Sequence, residues 1–232
     1  MIRAGLLLSL PVLAVISGLT GFGWIMTPEG VHIPVHWNSA GDVDGYGGKV
    51  EAFLILPGIA IALTGLFAIA PLIDPRGRNL ARSPSVFLTG WIGSLVVLAC
   101  VQTLVTLSAV GVLAPSSRTP ALVVGGACAL LLVGVGNVLG KARPNWFVGV
   151  RSPWTLSSDV SWDVTHRWTG RAFVLVGLVA LLLFAFGQTG TGFAVLAGGA
   201  GLSAVGAVIL SYLVWRRDPN RETFSADKSG EA

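Results

Sequence analysis

Charge is what this sequence has least of. Of its 232 residues, 11% are Asp, Glu, Lys or Arg and 53% are hydrophobic, and the mean hydropathy is +0.77. A soluble domain carries about a quarter charged residues, so too few are present to cover a water-facing globule. The same count excludes a disordered chain, which needs many charges and little apolar content. Cysteine is nearly missing as well. Cys100 and Cys128 provide neither a disulfide framework nor a Cys-rich zinc domain, and both fall in apolar runs as small fillers.

The charges are also bunched. Residues 4–28, 52–73, 83–117, 119–140 and 172–215 contain no Asp, Glu, Lys or Arg. Crossing a hydrocarbon core of about 30 Å takes roughly 20 apolar residues in a helix. The first four runs each hold one such helix. The last is interrupted by Gly187-Gln188-Thr189-Gly190-Thr191-Gly192, a turn signal that makes it a helical hairpin. The prediction is an all-α membrane protein, a polytopic bundle of six transmembrane helices near 4–26, 52–73, 85–111, 120–140, 171–187 and 193–215. The first run is read as a span and not a cleaved signal peptide. Its apolar stretch outruns a typical h-region, and no small-x-small site precedes Thr27.

Lys and Arg favour cytoplasmic loops. With the N-terminus inside, every one of the 15 basic residues except Lys49 and Arg118 lies in an inner segment. The expected arrangement is N-in/C-in and multi-pass. The net charge of +4 is then spread along one membrane interface and is no cationic face for nucleic acid, so no direct nucleic-acid contact is expected. The lipid bilayer is the first partner. Trp24, Trp91 and Trp215 fall near span ends, and Trp146, Trp154, Trp162 and Trp168 surround one inner loop, as expected of indoles in the headgroup layer. Gly136 and Gly140 give a GxxxG spacing suited to close helix packing, read as bundle packing and not as a dimer face. No ionisable residue sits at mid-span, which disfavours an ion-coupled transporter. Gln102 and Asn137 are intramembrane amides expected to join helix to helix.

Polar residues that can carry specific chemistry are concentrated in the outer loop 27–51 and the inner loop 141–171. In the outer loop, His32 and His36 beside Asp42 and Asp44 resemble a metal-ligand set, but Pro34 argues against the helical face that His-x3-His requires. A hydrogen-bonded, turn-rich loop is expected, with no metal and no cofactor. An enzyme using His36 with Asp42 or Asp44, or His166 with Asp163, would lack a recognisable nucleophile, so no catalytic residue is assigned. In the inner loop, Asn145, Gly149 and Pro153 punctuate 143–156 as a re-entrant or interfacial segment. Ser157 or Ser158 is an N-cap from which a helix runs from about 159 into the fifth span. On it Trp162, His166 and Thr169 share a face, and Asp163 and Arg167 form an i,i+4 pair. This helix is expected at the inner interface, with Trp162 and Trp168 among headgroups. On a purely structural reading Arg151 and Arg167 bond carbonyls or phospholipid, and His166 donates to a neighbouring loop.

The outer stretch Ile33-Pro34-Val35-His36-Trp37-Asn38, with Gly41, Asp44-Gly45-Tyr46-Gly47 and Lys49, resembles the DUF1648 module. Gly136-Asn137, Lys141, Asn145, the run Phe147-Val148-Gly149-Val150-Arg151-Ser152-Pro153-Trp154-Thr155-Leu156, then Trp162 and Thr165-His166-Arg167, is similar to the signature of the SdpI family. Val150, Ser152 and Asp159 replace the usual Ile, Thr and Glu and keep chemical type. The resemblance divides the chain into a DUF1648-like region at 1–75, an SdpI-like region at 76–217 and a disordered cytoplasmic tail at 218–232. It implies immunity to a secreted toxin peptide that attacks the membrane and, in some members, a sensor role in which a transcriptional repressor is held at the membrane. Carried over, it makes His36, Asn38, Asp44 and Lys49 the toxin-facing outer element. Asn137, Lys141, Asn145, Arg151, Pro153, Trp154, Trp162, Thr165, His166 and Arg167 then shape the inner surface. A small-solute transporter or channel is the alternative class.

Overall fold

The computed structural model describes residues 1–114 and 117–221. The first helix, α1 (Ile2–Met26), is followed by two short strands, β1 (Ile33–Trp37) and β2 (Val43–Gly47). Next come α2 (Lys49–Phe53), α3 (Ile55–Ile73), α4 (Gly77–Ala81), α5 (Pro84–Ala109), α6 (Thr119–Leu139), α7 (Pro153–Leu156), α8 (Asp159–Ala185) and α9 (Thr189–Arg217). Among the described residues, six helical stretches are long and apolar enough to span a bilayer, with α2 and α3 forming one of them. The charge-free runs therefore mark the spans. α8 begins well before its run does, as the N-cap signal at 157–158 indicates.

Local chemistry sets the helix ends. Pro84 and Pro120 lie in the first turns of α5 and α6, where a missing N–H costs nothing. The Ser158 hydroxyl accepts from the Ser161 N–H at 3.0 Å and caps α8. Gly111 and Gly187, after α5 and α8, take positive φ. Arg216 and Arg217 stand in the last turn of α9, opposite in sign to the helix-end dipole.

In the bundle α1 packs on α3 and α5, α5 on α6, α6 on α8, and α8 on α9. Lipid offers no hydrophobic drive between helices, so association relies on close approach and hydrogen bonds. Between α6 and α8 glycines supply the approach: a Cβ on Gly136 would lie 2.6 Å from the Gly170 carbonyl oxygen, and one on Gly177 2.9 Å from that of Ala129. The GxxxG spacing is thus an intrachain seam. Between α8 and α9 the glue is polar, since the Ser161 hydroxyl donates to the Ser211 carbonyl at 2.8 Å. Outward-facing residues such as Leu72, Leu202 and Ile25 are highly exposed and form the lipid-facing belt.

Three expectations need correction. Trp91 is no interface residue: it is fully buried, stacked on Phe67 at 5.5 Å, and occupies the space that Gly5 of α1 leaves open. Trp162 is not among headgroups either. It is fully buried, and its Nε1–H donates to the Ala142 carbonyl at 2.8 Å, whereas Trp168 is exposed. Gln102 joins helices as expected, its amide donating to the Ala52 carbonyl, but Asn137 faces outward. Of the expected tail, 222–232 lies outside the described residues. Asp218, at its start, is buried and accepts from the Ser158 hydroxyl at 2.6 Å.

Candidate functional site

Three spans separate the outer loop from the inner one, so the two polar concentrations sit at opposite ends of the bundle. The outer loop is an antiparallel β-hairpin, with Ile33 opposite Gly47 and Trp37 opposite Val43 and register shifts at His36. Its inner side closes on α2 and α5: Ile33, Ala52, Phe53 and Val105 form a buried cluster, with Val35 and Trp37 packed against it. Asn38 builds the turn. Its Oδ1 accepts from the Ala40, Gly41 and Asp42 N–H groups at 2.9–3.0 Å. Lys49 anchors the hairpin's end, with Nζ 2.7 Å from Glu29 Oε1 and 5.6 Å from the Trp24 ring centre.

His36 and Asp44 are different. They meet through Nδ1 and Oδ1 at 2.5 Å, yet their side chains are 71% and 45% exposed. With exposed Tyr46 they form a polar face directed away from the bundle. Among the described residues no three His, Cys, Asp or Glu side chains gather as metal ligands.

The inner end is a knot of loops. Asn145, fully buried, organises it: Nδ2 donates to the Arg143 carbonyl at 2.7 Å, and Oδ1 accepts from the Phe147 and Val148 N–H groups at 2.9 and 2.7 Å. Asp74 ties the preceding connection to it, accepting from the N–H groups of Arg76 at 2.7 Å and Trp146 at 3.1 Å. Asn79 donates to the Pro144 carbonyl at 3.0 Å, and the Ser83 hydroxyl accepts from the Arg143 N–H at 2.8 Å. Asn145→Ala leaves two N–H groups and a carbonyl unpaired, at about 1–3 kcal/mol each where buried. The expected result is a protein destabilised by roughly 3 kcal/mol or more relative to the parent. Thermal unfolding in detergent measures the difference.

His166 closes the knot. It is fully buried and stacked on Trp162 with ring centres 4.0 Å apart. Its Nε2 accepts from the Val150 N–H at 2.9 Å, and Nδ1 lies 2.7 Å from the Trp162 carbonyl oxygen. A nitrogen that accepts carries no proton, and one facing a carbonyl must carry one, so the ring is the neutral Nδ1–H tautomer. His166 therefore accepts from the neighbouring loop instead of donating to it. Gly149, at φ +110°, permits this approach, because a Cβ there would strike His166 Nε2.

Of the remaining inner residues, Pro153 starts α7 and Trp154 packs its ring on Tyr212 of α9 at 5.1 Å. Thr165 is buried. Lys141, Arg151 and Arg167 are exposed. Arg151 donates to the Trp146 carbonyl at 2.7 Å, and Arg167 lies 3.6 Å from Asp163. The Ser158 hydroxyl and then the Asn220 N–H hold the Asp218 carboxyl below the usual carboxylate range, and Arg221 adds to the effect. Sequence reasoning missed Asp74, Asn79, Ser83, Ser211 and Asp218. Asp74-Pro75 and Asp218-Pro219, turn-forming pairs that each follow a span, carried a readable signal.

The model of the SdpI/YfhL protein family matches residues 141–213, and that of a domain of unknown function, DUF1648, matches residues 31–61. These segments contain the inner knot with α8 and most of α9, and the outer hairpin with the start of the second span. Immunity protein SdpI of Bacillus subtilis (strain 168) is 31% identical over 68 residues, which cover 29% of this chain and 33% of that protein. The match thus spans about a third of the curated relative's length. No solved structure matches.

Proposed function

We propose that this multi-pass membrane protein, whose residues 141–213 match the SdpI/YfhL family model, gives its cell immunity to a secreted, membrane-active toxin peptide. The observation that carries the reading is the exposed His36–Asp44 pair. Asn38 and Lys49 hold the hairpin in shape and engage their own neighbours, while His36 and Asp44 face outward and remain available to a ligand. An exposed side-chain pair on an element fixed by a packed cluster suits recognition, since the scaffold sets its geometry in advance. A toxin peptide approaching the membrane would meet this face first.

His36→Ala and Asp44→Ala test the proposal. Both side chains stand outside the packed cluster, so membrane insertion and stability are expected to stay within about 0.5 kcal/mol of the parent. Survival under toxin challenge is expected to fall for each variant. Unchanged survival with normally inserted variants would remove the hairpin from the mechanism.

The inner end suits a second role within the same proposal, holding a repressor at the membrane through exposed Lys141 and Arg167 beside Asn137. Lys141→Ala with Arg167→Ala is expected to lower the membrane-bound fraction of that repressor while toxin survival persists. An unchanged fraction would confine the function to immunity.

A further inference from the structure

A cavity of about 340 Å³ opens where α3, α5, α6 and the inner loop meet. Its walls are apolar, formed by Phe67, Ala70, Phe87, Gly90 and Phe147, and the charged group in its lining is Arg151. The size lies in the range of small-molecule sites. Its depth follows from the helix ends. Phe67 and Ala70 lie in the last two turns of α3, and Phe87 and Gly90 lie in the first two turns of α5. The cavity therefore sits at the boundary between hydrocarbon and headgroups. Leu66, in its lining, is half exposed on the lipid-facing side of α3, so the opening continues into the surrounding bilayer.

Arg151 is held at this place. One of its five N–H donors is used on the Trp146 carbonyl at 2.7 Å, which leaves the rest of the exposed guanidinium fork for an outside acceptor. Trp146 itself is half exposed, as an indole at headgroup depth is expected to be. Apolar walls reached from the lipid side, with a fixed guanidinium at the rim, match one chemistry: an acyl chain joined to an anionic phosphate head. A free small anion would engage Arg151 and leave the apolar walls unmatched. A purely apolar molecule would leave the guanidinium without a partner.

We propose that this cavity is a binding site for an acidic phospholipid of the adjoining leaflet, one acyl chain lying against the wall that Phe67 and Phe87 form by packing on each other at 5.2 Å and its phosphate held by Arg151. The site is distinct from the outer hairpin, so it stands or falls separately from toxin immunity. It also gives Arg151 a role beyond the knot, as a positive group that fixes the bundle's inner end to lipid.

The test uses the full chain purified in detergent and offered equal phosphatidylglycerol and phosphatidylcholine with identical tails. Retained lipid is counted by native mass spectrometry. The parent protein is expected to retain one phosphatidylglycerol, preferred about tenfold because the choline cation of phosphatidylcholine offsets the phosphate charge that Arg151 meets; a tenfold ratio corresponds to about 1.4 kcal/mol. Arg151→Gln is expected to bind both lipids alike, and Arg151→Lys to keep the preference. Gly90→Leu is designed to fill the cavity, starting from a Cβ that meets nothing closer than Phe67 Cζ at 3.9 Å. This variant is expected to lose both lipids at an unchanged unfolding temperature. Glycerol 3-phosphate at the same concentration is expected not to displace the lipid. The proposal is overturned by no preference in the parent, by preference persisting in Arg151→Gln, by lipid retained in Gly90→Leu, or by displacement with glycerol 3-phosphate.

Discussion

Gly149→Ala is expected to be among the most damaging single-methyl changes in the chain. Two costs act at once. At φ +110° any side chain is strained, by about 1–2 kcal/mol. The added Cβ would also strike His166 Nε2, and overpacking costs about 1–3 kcal/mol more. Moving the imidazole away loses the Val150 N–H bond and unseats the ring from Trp162, so the inner knot cannot yield cheaply. The expected loss is roughly 3–5 kcal/mol, seen as a lower unfolding temperature and a protease-sensitive 143–156 segment. Gly30→Ala is the control. It has the same kind of backbone, at φ +77°, with nothing within 4 Å of the new carbon, so it carries the strain of about 1–2 kcal/mol alone. Equal losses in the two variants would mean that the His166 contact is not what Gly149 serves.

The second large effect lies in the α6–α8 seam. Gly136→Leu places a side chain where even its first carbon would lie 2.6 Å from the Gly170 carbonyl oxygen and 2.9 Å from the Val174 backbone nitrogen. Backbone cannot rotate aside as a side chain can, so the helices must separate. In lipid that removes the packing that holds them together. The expected cost is about 3 kcal/mol or more, read as unfolding at lower denaturant or failure to accumulate in the membrane. Gly126→Ala on the same helix has open space around its Cβ and is expected to change stability by no more than about 0.5 kcal/mol. If both variants behave alike, the seam is not where the bundle closes.

The spans were legible because lipid imposes a one-dimensional rule: a charge-free run of about 20 residues crosses. The start of α8 was legible too, since Ser158 and Asp159 write an N-cap before the apolar run begins. The hairpin was less so. Its strands, Ile33–Trp37 and Val43–Gly47, are five residues each, contain Pro34, Gly45 and Gly47, and gain order mainly from packing on Ala52, Phe53 and Val105, the last far along the chain. The fates of Trp91 and Trp162 were hidden for a related reason. Indole counts point to an interface, but burial depends on what stands opposite, Gly5 in one case and the Ala142 carbonyl in the other, 86 and 20 positions away. Among the inner motif residues, sequence spacing placed Trp162 and His166 on one face, yet the direction of the His166 hydrogen bond follows from Gly149's backbone and has no one-dimensional trace.

The outward role of the hairpin and the inward role of the knot rest on their lying across the membrane from each other, with the N-terminus inside. In a protein whose Cys100 and Cys128 are replaced by alanine, Ala40→Cys and Lys141→Cys place single thiols at exposed positions of the two ends. A membrane-impermeant maleimide applied to intact cells is expected to label position 40 directly and position 141 only after permeabilisation. Labelling of both from outside, or of position 141 alone, would contradict the arrangement.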